Sequence, residues 1–203
     1  MSNHRLPVFP LNLPLLPGCV MPLQIFEKRY LDMVSACMRT QTGFVVSLLH
    51  QGAEQHEVIR PHQDTPSDIP FFTTGTLAKI IDFGQRENGL LAITIEGESL
   101  QDISQIEQND DGLWMADAIK LDEFNKPGEE DIDALKELLG SILSLPNTLP
   151  ETVKIEELSS VQIMNYLIML LPIPTPTKQK LLQQNDLASR WALLHDMVLS
   201  TLD

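Results

Sequence analysis

The segment LPVFPLNLPLLPGCVMPLQIFEKRY, residues 6–30, says more about the fold of this chain than any other stretch. Pro7, Pro10, Pro14, Pro17 and Pro22 rigidify it in an extended form, since proline locks φ and breaks a helix from within. Pro17-Gly18 marks a turn, because proline presets the first turn dihedral and glycine accepts a positive φ. Leu23, Ile25 and Phe26 then lead into a helix: Ile25, Phe26, Tyr30, Met33, Val34, Cys37 and Met38 recur at spacings of three and four. Glu27, Lys28 and Arg29 read either as a solvated helix start or as a local ion cluster in which Arg29 holds backbone carbonyls. Cys37 falls on the apolar stripe and is expected to be a buried, inert thiol.

Outward from this segment, the pattern up to residue 125 is mainly one of short strands. Leu91, Ile93 and Ile95 alternate with Ala92, Thr94 and Glu96, the period of a half-buried strand. Residues 75–83 form another, joined to it through a turn ending in Asn88-Gly89. Asp110-Asp111-Gly112 punctuates a hairpin between residues 101–107 and 113–121, and residues 44–50 make a further strand. The interval 51–74 is polar, contains Pro61, Pro66 and Pro70, ends in Phe71-Phe72 and reads as a long loop.

Residues 126–203 read as helical. Leu135, Leu138, Leu139, Ile142 and Leu143 share a face, with Glu129, Glu130 and Asp131 near the N-terminus, where the helix dipole favours anions. Ser159 and Gln162 have the spacing of a capping box ahead of a helix that is apolar nearly all round. Pro172, Pro174 and Pro176 end it and start the next, with Thr175 expected as N-cap. A last helix runs from Asp186, with Leu187, Trp191, Leu194, Val198 and Leu202 on one stripe.

Composition narrows the function classes. The chain has 203 residues, 43% hydrophobic and 21% charged, which suits a folded protein with a real core. Lys plus Arg is 14 against 28 for Asp plus Glu, a net charge of −14. That balance weighs against gripping a phosphate backbone, although a basic patch of Lys28, Arg29 and Arg39 is conceivable. No stretch approaches the roughly 18 consecutive apolar residues of a membrane span, and residues 1–7 lack a signal peptide's apolar core. Cys19 and Cys37 make no disulfide framework, so a reducing, cytoplasmic setting is expected.

Catalytic signatures are sparse. There is no GxxxxGK(S/T) phosphate loop, no GxGxxG and no GxSxG elbow. His50, His56 and His62 are six apart, which suits neither one helical face nor a tight zinc turn. With Glu57, Asp64 and Asp68 they could hold a metal in the 51–74 loop, the basis of a rival reading as a small metal-dependent hydrolase. His195 and Asp196 are helix neighbours whose side chains point about 100° apart, which disfavours a triad with Ser200. Glu96 and Glu98 share a strand face, which reads more simply as an exposed acidic surface than as an acid–base pair.

The opening motif, extended as LPVFPLNLPLLPGCVMPLQIFEKRYLDMV, resembles the start of the N-terminal, substrate-binding domain of Lon proteases. The resemblance continues in order through Phe44-Val45-Val46-Ser47-Leu48, the GTLAKI string at Gly75 to Ile80 (the family's GTxAxI strand), and the strand ending at Gly97. It resumes at Leu170-Leu171-Pro172-Ile173, Lys178-Gln179-Lys180-Leu181-Leu182 and Arg190. Glu98-Ser99-Leu100 departs from it, standing where the family usually has an arginine and an aromatic residue, and the 51–74 loop looks longer and more polar than usual. The ATPase module and Ser–Lys protease domain of full-length Lon are absent from these 203 residues.

The resemblance implies an α+β fold: a PUA-like pseudo-barrel of strands with one inserted helix over residues 1–125, followed by a helical bundle over residues 126–203. It also implies a non-catalytic, cofactor-free and metal-free module that binds unfolded or specific protein segments, with a separate Lon-type ATPase as a candidate partner whose involvement the sequence leaves open. Neither nucleic acid nor membrane is an expected partner. RNA binding, common among PUA-like folds, is the third reading, and the net charge argues against it. Leu13, Leu15, Leu16, Phe71 and Phe72 are the candidates for an exposed apolar contact patch.

Overall fold

Two long strands organise the computed structural model, which describes residues 4–50, 69–86, 89–125, 132–144 and 153–202. β4 (Phe71–Gln85) and β5 (Leu91–Gln108) run antiparallel to each other. On its other edge β5 has room for two partners: β2 (Val20–Ile25) along residues 91–96 and β6 (Trp114–Lys120) along residues 101–108. β6 pairs antiparallel with β1 (His4–Leu11), β1 pairs in parallel with β3 (Phe44–Leu49), and β3 pairs antiparallel with β4. The ring β5-β4-β3-β1-β6 therefore closes on itself, and β2 stands outside it as an added edge.

A straight strand as long as β5 would span roughly 60 Å. Register shifts bend β4 and β5 instead, between Leu77 and Ala78, between Ile80 and Asp82, and between Ser104 and Glu107, where Gln105 sits at φ 48°. Each extra residue kinks its strand and raises the local twist, which closure requires. β3 is buried along its whole length. Phe44 and Val46 belong to the main hydrophobic core, while Val45 and Leu49 join a smaller cluster with Val8, Phe71, Ile103 and Ala116. A strand buried on both faces has no polar side to display, which is why FVVSLL reads as a run rather than an alternation.

The helix α1 (Lys28–Thr40) lies between β2 and β3 in the chain and packs through Tyr30 on Phe9, with ring centroids 4.2 Å apart. It starts later than the spacing predicts. Ile25 is the last rung of β2, opposite Leu91, and Glu27 is the extended N-cap. A strand residue pointing inward just ahead of a helix extends the three-and-four pattern without being helical. Cys37 is buried, as its place on the stripe implies. Residues 71–74, read from sequence as the end of a loop, instead open β4, and Pro70 precedes its first residue, where a missing N–H costs no ladder bond; residues 51–68 of that interval lie outside the described residues.

The helical part comprises α2 (Ile132–Leu143), a 3-10 turn (Ile155–Glu157), α3 (Ser160–Leu170), α4 (Thr175–Leu182) and α5 (Leu187–Leu202). Ser159 and Gln162 form the capping box reciprocally. Pro174 rather than Thr175 caps α4, because the Pro174 carbonyl already accepts from Thr177 and Lys178. Glu129, Glu130, Asp131 and Asn88 lie outside the described residues. One hydrophobic cluster joins Phe9, Leu15, Phe44 and Ile95 of the first part to Leu139, Leu167 and Leu194 of the second.

Polar side chains of α3, α4 and α5 fasten the two parts. Gln162 donates to the Gly18 carbonyl at 3.3 Å, Asn165 to the Pro17 carbonyl at 2.9 Å, and the Tyr166 hydroxyl accepts from the Val20 N–H at 2.9 Å. Positions 162, 165 and 166 share one helix face, which grips the turn that delivers the chain into β2. Gln179 donates to the Thr74 carbonyl in β4, and buried Lys178 donates to the Met169 carbonyl at the end of α3. Lys178, Gln179 and Arg190, which stood out in the sequence, are thus buried fasteners. Among the described residues no helix is long and apolar enough to cross a membrane.

Candidate functional site

β3 leaves β4 at Ala78, so the end of β4 continues past the ring with β5 and β2 as a three-stranded extension. This extension carries exposed apolar groups: Ile81 is 50% and Phe83 62% exposed, and Phe26, which directly follows β2, is 55% exposed. Phe83 lies opposite Ile93, and Ile93 opposite Leu23, so the three form one row across three strands, roughly 10 Å wide. Ile81 is the extra residue at the register shift between Ile80 and Asp82. Phe83 is the exposed member of this row, since Ile93 is buried and Leu23 partly buried against the core.

A cavity of about 190 Å³ opens beside the extension, between β1, β2 and the first turn of α1. β1 and β2 are not paired with each other, so this is a gap between two strands. Its walls are mainly apolar: Phe9, Leu11, Leu23, Ile25, Phe26 and Tyr30. The charge at its edge is compensated. The Arg29 guanidinium binds the Glu27 carboxylate through Nε at 3.0 Å and Nη2 at 2.7 Å, and its Nη1 donates to the Gly112 carbonyl at 2.9 Å. It also lies 4.7 Å from the centre of the Tyr30 ring. Of the two readings of the Glu27-Lys28-Arg29 triplet, the ion cluster with a backbone carbonyl is the one present, and only Lys28 stands out in solvent.

The residues proposed from sequence as an exposed patch are placed differently. Leu15, Leu16 and Phe71 are fully buried in the two hydrophobic clusters, so their expected exposure is corrected. Leu13 is partly buried against the main core, and Phe72 is partly exposed with its ring edge-on to His50 at 4.5 Å. Apolar character alone cannot separate a core residue from a contact residue. Ile80-Ile81, two adjacent apolar residues in a strand, was the signal available for the exposure of Ile81, since a regular strand would send them to opposite faces.

Chemical groups are dispersed. Among the described residues no three His, Cys, Asp or Glu side chains gather as a metal site. His56, Glu57, His62, Asp64 and Asp68 lie outside the described residues. Glu98 is ion-paired with Lys79 and falls at the register shift where Ala78 faces Gly97 and Leu77 faces Ser99. Both thiols are buried, and burial pushes Cys19 and Cys37 up, the opposite of what a nucleophile needs.

Both tyrosines of the chain are also held protonated by burial, which pushes Tyr30 up to about 12 from an ordinary 10.0 and raises Tyr166 further. The unfolded chain ionises first, so stability present below pH 10 is lost as pH rises through the window between 10 and about 12. Native protein is expected to show no tyrosinate absorbance where urea-unfolded protein is half ionised. A tyrosinate signal at that pH with the fold intact would contradict the burial of both rings.

This is a mixed α+β fold, a closed ring of strands with one added edge, fastened to a helical layer by buried polar groups. The chain belongs to the family described as the ATP-dependent protease La (LON) substrate-binding domain, which it matches over residues 5–200. The crystal structure of a Lon N-terminal domain protein from Xanthomonas campestris superposes with a TM-score of 0.69 at 25% identity, covering 95% of this chain and 98% of that one. The N-terminal domain of Lon protease from Mycobacterium avium complex gives a TM-score of 0.59 at 17% identity, covering 95% and 97%, a likeness of fold. No curated protein matches the chain.

Proposed function

We propose that the chain is a non-catalytic module that binds segments of other proteins through the apolar surface of Phe26, Ile81 and Phe83 and the adjoining cavity. The observation that carries this reading is the exposure of Phe83, 62%, on the part of the sheet that projects beyond the closed ring, and of Phe26, 55%, directly after β2. Family membership supports it, because the family is described as substrate-binding. Its partners would be unfolded or locally extended proteins, and a separate Lon-type ATPase would be the machine it serves.

The test is fluorescence anisotropy with reduced, carboxymethylated α-lactalbumin as the unfolded probe and the native protein as control. Saturable preference for the unfolded form is expected. Replacing Phe26 and Phe83 together with serine should weaken it about tenfold or more, since covering a phenylalanine is worth roughly 1.5–3 kcal/mol and tenfold is about 1.4. The melting temperature should hardly move, because both rings already face water. Equal binding of both probe forms, or a double variant that binds as well as the wild type, would sink the reading.

A further inference from the structure

We propose that the bound segment adds to the outer edge of β2 as an extra strand, seating an uncharged apolar side chain in the cavity between β1 and β2. The inference rests on the protein-binding reading above and concerns how that site takes its ligand. The parity of the β2–β5 ladder carries it. The Gly97 N–H donates to the Cys19 carbonyl at 3.0 Å and the Gly97 carbonyl accepts from the Gly18 N–H at 2.8 Å, so Gly18 and Cys19 together make the bonded partner of Gly97, with the Cys19 carbonyl turned towards β5. Antiparallel pairs alternate between bonded and non-bonded. Val20–Glu96, Pro22–Thr94 and Gln24–Ala92 are therefore the non-bonded pairs, and their β2 members turn their backbone groups away from β5.

Val20 confirms this parity independently, since its N–H reaches the Tyr166 hydroxyl on α3 at 2.9 Å. One step along, Pro22 has no N–H, so proline here removes no bond from the ladder. A further step along, Gln24 directs both its N–H and its carbonyl outward at an exposed position with no protein partner among the described residues. The edge is thus covered by α3 at Val20 and open from the Pro22 carbonyl through Gln24. Groups at this spacing are matched by an extended backbone, as in strand addition at other sheet edges. The cavity walls are mainly apolar, Gln24 is neutral and the Glu27 carboxylate already has Arg29, so the side chain that enters is uncharged.

The probe is a short fluorescein-labelled peptide of alternating threonine and valine, compared with two isomers N-methylated at every valine or at every threonine. N-methylation removes donors along one edge of an extended peptide and leaves the side chains intact. One isomer is expected to lose binding about tenfold, the loss of one or two backbone hydrogen bonds, while the other binds like the parent. The variant Gln24→Pro should likewise lose about tenfold for the parent peptide with an unchanged melting temperature, since Pro22 is tolerated at the preceding non-bonded position.

Equal binding of both isomers, equal loss by both, or normal binding by a folded Gln24→Pro variant would overturn strand addition. If the variant does not fold, the two isomers decide. Concentration-dependent dimerisation abolished by Gln24→Pro would overturn it too, by making a second copy of this chain the occupant of the edge. If the wild type binds carboxymethylated α-lactalbumin but does not distinguish the isomers, only this inference fails. If it binds no unfolded probe, the protein-binding reading itself fails.

Discussion

Replacing Arg190 with methionine is expected to destabilise the protein by about 3–5 kcal/mol, the loss seen when one partner of a buried ionic network is removed. The guanidinium is fully buried. Its Nε donates to the Gln184 carbonyl at 2.9 Å, Nη1 to Asn165 Oδ1 at 3.2 Å and Nη2 to the Leu182 carbonyl at 3.3 Å, and Nη2 lies 2.7 Å from a Glu123 carboxylate oxygen. Methionine fills much of the volume and satisfies none of these acceptors. Asn165 would be released as well, and its amide holds the Pro17 carbonyl ahead of β2. The melting temperature should fall by roughly 10 °C in a chain of this size. Lysine should rescue little, because one ammonium cannot reach acceptors arranged for a planar fork. Urea unfolding of the two variants checks this, and a loss below about 1 kcal/mol for methionine would show that the network contributes no more than a surface pair.

Gly97→Ala is expected to cost about 3 kcal/mol, the upper end of what overpacking does in a filled site. A Cβ at Gly97 would lie 2.4 Å from the Leu16 carbonyl oxygen and 2.9 Å from its carbon. These are backbone atoms and cannot rotate away. Gly97 also exchanges bonds with this segment, accepting from Gly18 N–H at 2.8 Å and donating to the Cys19 carbonyl, so the clash pushes on the segment that leads into β2. Gly84→Ala is the matched control, since a Cβ there meets no atom within 4 Å. Calorimetry should separate the two by several degrees. Equal melting temperatures would mean that the Leu16 segment yields without cost.

Some of this fold was readable residue by residue. The β5 alternation, the Ser159–Gln162 capping box and the burial of Cys37 are local consequences of side-chain period and hydrogen-bonding type, and each is present. Family membership was legible in the opening motif and the order of those after it, and the match over residues 5–200 shows it. The candidate surface was much less legible. Leu15 and Leu16 look no less sticky than Phe26 and Phe83, yet the first two are buried and the last two exposed. The difference arises because β3 stops pairing with β4 at Ala78, a decision made by strands far apart in sequence.

Local sequence determined the element types, the extended proline-rich opening and the apolar runs that demand burial, because these depend on period and backbone preference within a few residues. Tertiary structure alone decided that β5 would share its edge between β2 and β6, leaving Gln24 on an edge that no other described segment covers. It decided too that Arg29 and Arg190 would be buried rather than solvated. An arginine is buried only where carboxylates and carbonyls from distant segments converge on it, and an edge is open only where no other segment arrives. Both are properties of the assembled chain, set by long-range packing that no local window contains.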